Sequence, residues 1–167
     1  MSTLARAAVA ALASLPLVAA GVAPQLSARL TGEEVLLRVA PVDPIDPFRG
    51  AYVDLDYPDL TTEGGSWPPS VDDGRSGAVY AVLEERPAAD GLPATWALAR
   101  WSRERPADGL YLACDDADWA VRCGIESWFV PQDEALRLER VLADTGALAT
   151  VRVDGRGNAA ITGLRAP

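Results

Sequence analysis

Two cysteines and twenty-four carboxylates are most of what this 167-residue chain has for chemistry. It contains no histidine and no lysine, and all fifteen of its basic residues are arginine. Without His there is no Ser-His-Asp or Cys-His relay, no His-ligated zinc and no ordinary proton shuttle near neutral pH. Without Lys there is no Ser-Lys dyad, Schiff base or Walker-type phosphate loop. Cys114 and Cys123 flank the polar run Asp115-Asp116-Ala117-Asp118. Two Cys on either side of such a turn can lie opposite each other, and in an exported domain they are expected to form a disulfide. Closing that loop would contribute roughly 2.7 kcal/mol by the chain-entropy relation. As separate thiols they have no neighbour able to activate them, and two are too few for a four-ligand structural zinc.

The acids offer less than their number suggests. Asp115, Asp116 and Asp118 make a weak cation site or, more commonly for a turn, a solvated cluster. Asp72-Asp73-Gly74 is too short for a calcium loop, which needs oxygen ligands at fixed alternate positions. Glycosidic hydrolysis needs only two carboxylates, but no spacing here singles out a pair, so a carboxylate-based hydrolase is the least favoured function. No cofactor or metal is implied. The net charge of −9 argues against nucleic acid, whose phosphates demand clustered cations. About half the residues are apolar, enough for a real core in one modest domain.

The elements that must position these residues are mostly strands. Residues 32–39 and 51–57 read as the first two. Between them, Asp43-Pro44 and Asp46-Pro47 hold the chain extended, and Asp46-Pro47-Phe48-Arg49 suits a type I turn before Gly50. In the second strand Ala51, Val53, Leu55 and Tyr57 alternate with Tyr52, Asp54 and Asp56. The apolar set should face the core, with the Tyr57 hydroxyl finding a partner. Residues 58–77 read as a long loop carrying Trp67. Residues 78–83 and 95–101 read as strands, and 110–114 with 120–125 as a hairpin around the Asp turn. Residues 131–143 read as an amphipathic helix with acids first and arginines later. Residues 149–153 and 158–162 flank Asp154-Gly155-Arg156-Gly157, a strong hairpin signal. The five Trp are scattered along the chain, as core anchors would be.

Residues 7–28 carry no charge, between Arg6 and Arg29. Twenty-two helical residues span about 33 Å, against a hydrocarbon core of about 30 Å. The run is rich in Ala and holds Pro16 and Pro24. A membrane anchor is the favoured reading, ahead of a cleaved signal peptide and a buried helix. Arg6 on the short flank puts the amino terminus in the cytoplasm and the body outside it.

Gly50-Ala51-Tyr52-Val53-Asp54-Leu55-Asp56-Tyr57 resembles the G-D-Y-x-x-L-x-Y signature of the GDYXXLXY family, membrane-anchored proteins of bacteria and archaea. Pro41-Val42-Asp43-Pro44 and Phe48-Arg49-Gly50 resemble the family's approach to that motif. The order of parts is similar over nearly the whole chain, including Gly124-Ile125-Glu126-Ser127-Trp128-Phe129-Val130-Pro131 and the late strand pair. The resemblance thus marks Asp43, Pro44, Asp46, Pro47, Arg49, Gly50, Tyr52, Leu55, Tyr57, Gly124, Glu126 and Phe129 as motif or structural residues. Ala51 stands where the signature has Asp, so no role of that Asp can operate here. The resemblance brings no activity with it. It does imply a membrane partner, because the family's genes often lie beside those of multi-pass membrane proteins.

These readings predict a mainly β (α+β), antiparallel extracytoplasmic domain at 29–167 with one amphipathic helix, behind a transmembrane helix at 1–28. The expected role is a non-catalytic accessory or interaction module for a multi-pass membrane protein. The alternative is a ligand-binding module using the 58–77 loop with Trp67 and the outer face of Tyr52, Asp54 and Asp56.

Overall fold

The computed structural model describes residues 3–41, 52–61, 75–89, 91–118, 120–129 and 146–165; for residues 3–11, 13, 17, 41, 52 and 53 only the backbone is described. Among these residues a long helix, α1 (Thr3–Thr31), leads into eight strands. They are β1 (Glu33–Pro41), β2 (Tyr52–Asp56), β3 (Ala78–Arg86), β4 (Thr95–Ser102), β5 (Tyr111–Asp115), β6 (Ser127–Phe129), β7 (Ala147–Val153) and β8 (Ala159–Arg165). A 3-10 turn, Pro58–Leu60, follows β2.

The strands form a five-stranded sheet in the order β6-β2-β1-β7-β8 and a three-stranded sheet in the order β4-β3-β5. Every pairing is antiparallel. The longest unbroken ladder joins β1 to β7, from Glu33↔Val153 to Val39↔Ala147. Period-two alternation then turns one face of each strand inward. Val35, Leu37 and Val39 of β1 meet Val79, Ala81 and Leu83 of β3, Leu112 and Cys114 of β5, and Ala149, Val151 and Val153 of β7 in one cluster. The core thus lies between the two sheets, and each fully buried Leu or Val in it contributes roughly 1.5–3 kcal/mol.

The β-rich antiparallel prediction stands; β6 was not expected, and the other seven strands begin within two residues of their expected starts. The hairpin expected from 110–114 and 120–125 does not form a ladder. Only the bridge Asp115↔Arg122 is made, and β5 pairs with β3 instead. The reason is local: the Glu126 carboxylate accepts the N–H groups of Cys123 and Gly124, removing them from any ladder. Cys114 and Cys123 are joined by a disulfide. The amphipathic helix expected at 131–143 lies outside the described residues.

The helix α1 carries Pro16 and Pro24 in its interior. Among the residues whose side chains are described, no helix is long and apolar enough to cross a membrane. The last turns of α1 pack on β7 and β8, and Ala28 is fully buried.

The sheets are also tied at the β7–β8 turn. Gly157 has φ +82° and accepts a hydrogen bond from the Ala113 N–H of β5 at 2.8 Å. A Cβ there would lie 2.6 Å from the Tyr111 ring and 2.8 Å from the Ala113 nitrogen. Gly155, two residues earlier, has open space around it. Gly157→Ala is therefore expected to cost about 3 kcal/mol, combining left-handed strain with overpacking, while Gly155→Ala stays within about 0.5 kcal/mol. Urea unfolding of the two variants makes the comparison.

Candidate functional site

The signature strand is fixed by the segment that follows the second cysteine. Leu55 and Tyr57 are buried, as the alternation of β2 predicts. The Leu55 N–H donates to the Glu126 carbonyl at 2.8 Å, and the Tyr57 hydroxyl donates to the Ile125 carbonyl at 2.7 Å. Burial, reinforced by the negative charge of Glu126, pushes the Tyr57 hydroxyl up, so it stays a proton donor throughout the working pH range. Farther along, Tyr52, Val53 and Asp54 stand opposite Phe129, Trp128 and Ser127. The two stretches marked by the resemblance are therefore one structural unit.

A second unit ties α1 to the body. Asp154 opens the β7–β8 turn and is buried. Its Oδ1 accepts the N–H groups of Arg156 (2.9 Å) and Asn158 (3.0 Å). Its Oδ2 accepts the Asn158 side-chain amide at 2.8 Å and the Ser27 hydroxyl of α1 at 2.5 Å. Burial works to raise this carboxyl, but the bonds from Ser27, Asn158 and the turn backbone outweigh it and hold the pKa below the usual range. Gln25 donates to the Gly124 carbonyl and Arg29 to that of Ile161, each at 3.4 Å.

Two further carboxylates are taken by arginine. Asp59, on the 3-10 turn, has a side chain only 4 % exposed and is held bidentately by Arg38, with Arg86 at 3.2 Å. The Asp59 hydrogen bond raises Arg38 further above its usual value. Asp116 accepts two bonds from Arg103, at 2.7 and 2.8 Å, and one from the Gly77 N–H at 2.7 Å. The Arg103 bond is the main reason its pKa is lowered. The cluster read as a weak cation site is thus divided: Asp116 belongs to Arg103, and Asp118 lies 3.5 Å from Arg122. Among the described residues no group of three His, Cys, Asp or Glu could hold a metal ion.

Two open clefts flank the end of α1. One, of about 480 Å³, lies between α1 and β6 and is lined by Gln25, Arg29, Trp128 and Phe129 among others. The other, of about 550 Å³, is lined by Glu33, Trp96, Tyr111 and Asp154 among others. Asp154 there has both oxygens engaged, so it cannot offer a free lone pair as nucleophile or base. Asp54 is exposed and Asp56 half-buried, and neither lines these clefts. Asp43, Pro44, Asp46, Pro47, Arg49, Gly50 and Trp67 lie outside the described residues.

Sequence reading missed Asp59, Asp154 and Ser27. The Asp154 signal was available: an Asp opening a Gly-rich turn and followed four residues later by Asn is poised to cap that turn with its own carboxylate. Nothing local marks Asp59, whose arginines come from 21 and 27 residues away.

Both Asp116 and Asp154 have folded pKa values below their unfolded ones. The stability they supply is complete above the unfolded value of about 4 and is lost as pH falls through the lowered folded values. Urea midpoints should therefore drop steadily from pH 5 toward pH 2. Asp154→Asn should flatten the curve while costing about 2–3 kcal/mol at neutral pH, as expected for lost bonds to a charged acceptor. A pH-independent wild-type midpoint would contradict this assignment.

No curated protein and no solved structure matches the chain. A family model, described as GDYXXLXY protein, matches residues 15–164. That match takes in the helix end, the signature strand, the Glu126 segment and the β7–β8 hairpin, and the chain belongs to the GDYXXLXY protein family.

Proposed function

We propose that this chain is a non-catalytic, membrane-anchored extracytoplasmic module that serves a multi-pass membrane protein as an accessory. The observation that carries this is the exposure of α1, whose described side chains from residue 12 to residue 26 all lie open. Leu12, Leu15, Val18, Val22, Leu26 and Leu30 are each at least half exposed. At about 100° per residue they fall on a single arc of about 120°. Ser27 and Ala28, by contrast, turn toward the β body. A row of six large apolar side chains facing away from the body is costly in water, and lipid or an apolar partner removes that cost. The uncharged run of 22 residues has the length to cross a bilayer. Arg6 favours a cytoplasmic amino terminus.

The chemistry of the body supports the same reading. The carboxylates Asp59, Asp116 and Asp154 are each engaged in holding the fold, as is Glu126 beside Tyr57. None of them is presented to a cleft with a free lone pair. The disulfide suits an oxidising compartment.

Three outcomes are expected from cells expressing the full chain. The protein stays with the membrane after alkaline carbonate washing, whereas Leu15→Glu with Val18→Glu is released. Alkylation without reductant labels neither Cys, as read by intact mass; two labelled thiols would contradict the extracytoplasmic placement. Affinity capture from detergent-solubilised membranes returns the same multi-pass protein in repeated preparations, and recovery of the chain alone would count against the accessory role.

A further inference from the structure

Phe129 is 76 % exposed, on a strand that stands at the edge of its sheet among the described residues, beside β2. The register sets Tyr52 opposite it, so both aromatic positions share one face of β2 and β6. Asp54 and Ser127 follow on the same face as its polar end. The neighbouring Trp128 packs against the core from its margin. Phe129 and Trp128 also line the cleft shared with Gln25 and Arg29 of α1.

That location has a meaning along the helix axis. The uncharged run ends at Ala28, and Arg29 is the first cation after it. The helix side chains beside Phe129 are therefore those at which a bilayer-spanning α1 would pass from hydrocarbon to headgroups. Aromatic rings and an arginine are the side chains that favour that layer: the rings sit among the ester groups, and the guanidinium reaches the phosphates. The acidic body, with a net charge of −9 for the whole chain, cannot be held there by attraction to anionic lipid.

We propose that the β6 edge, through Phe129 and Trp128 with Arg29 beside them, is a membrane-interface contact that seats the body directly on the lipid surface. This rests on the reading of α1 as a membrane anchor. The occupant of the α1–β6 cleft is then the headgroup layer of a zwitterionic bilayer, entered by apolar insertion, and the contact is insensitive to salt.

The test places an environment-sensitive fluorophore (NBD) on single engineered cysteines, with the Cys114–Cys123 disulfide intact, in the full chain reconstituted into phosphatidylcholine nanodiscs. Val18→Cys reports the anchor. Phe129→Cys reports the contact. Asp108→Cys, exposed on the loop beside the C-terminal end of α1, serves as the water reference. Nitroxide lipids carry the quencher either deep in the acyl chain or near the headgroup.

The proposal expects deep quenching at Val18, and shallow quenching at Phe129 of about twofold or more over Asp108, with no change on adding salt. Val18 quenched and Phe129 matching Asp108 would overturn the interface contact while leaving the anchor intact. No quenching at Val18 would overturn both. A blue-shifted Phe129 probe that no lipid nitroxide quenches would mean that protein covers the ring, and would also overturn the proposal.

Discussion

At Gly32 the chain passes from helix to strand so close to β7 that a Cβ would sit 2.4 Å from the Ala28 carbonyl and 2.8 Å from the Val153 nitrogen. Only a residue without a side chain fits there. The junction is closed on every side. The Gly32 N–H donates to the Ala28 carbonyl at 2.9 Å, ending α1. Its own carbonyl accepts two bonds from Arg152 of β7, at 2.8 and 3.1 Å. One residue later β1 begins its long ladder with β7. The Ser27–Asp154 bond closes the same corner from the helix side, one turn upstream. Helix direction, first strand and last hairpin are thereby set by one small region. A flexible tether between helix and body would leave orientation free; this junction removes that freedom.

A second constraint follows from the absent lysines and histidines. With arginine as the only basic side chain, each buried acid that needs a cation receives a planar fork of donors, which fixes geometry as well as charge. Asp116 and Arg103 are both about 10 % exposed and hold the start of β3. Asp59 sits between two half-exposed arginines from β1 and β3, bridging the two sheets. Buried ion pairs of this kind contribute little net stability, because desolvation offsets attraction, but removing one partner is costly. They act here as position markers between elements far apart in sequence. The same acids are thereby withdrawn from catalysis, which links the chain's composition to the non-enzymatic role proposed for it.

Much of this fold could be read from the sequence because its rules are local. Alternation in 51–57 identified Leu55 and Tyr57 as inward, and the Asp-Gly-Arg-Gly run marked the β7–β8 hairpin. Two Cys around an acidic turn marked their disulfide. What escaped depends on distant partners, apart from one local contact, that of Glu126 with the segment before it. Residues 120–125 look like a strand, yet Glu126 turns its carboxylate back on their N–H groups and leaves one bridge. The uncharged run stops at residue 28, while α1 runs on to Thr31 and its final turns lock onto the body. Ser27 carries no mark in the sequence because its importance lies in Asp154, 127 residues away. Phe129 entered as a motif residue on resemblance alone; only the register with Tyr52 and the cleft beside Arg29 gave it a physical setting.

The central claim is that α1 and the β body form one rigid unit through the Gly32 corner, so that the direction of α1 dictates how the body is presented. Hydrogen exchange on the detergent-solubilised full chain, followed by mass spectrometry, measures this directly. If the claim is right, the amides of residues 27–32 exchange as slowly as those of β7 and open with them as one cooperative unit. Rapid exchange of 27–32 while β7 stays protected would show a helix that merely tethers the body, and would contradict the account.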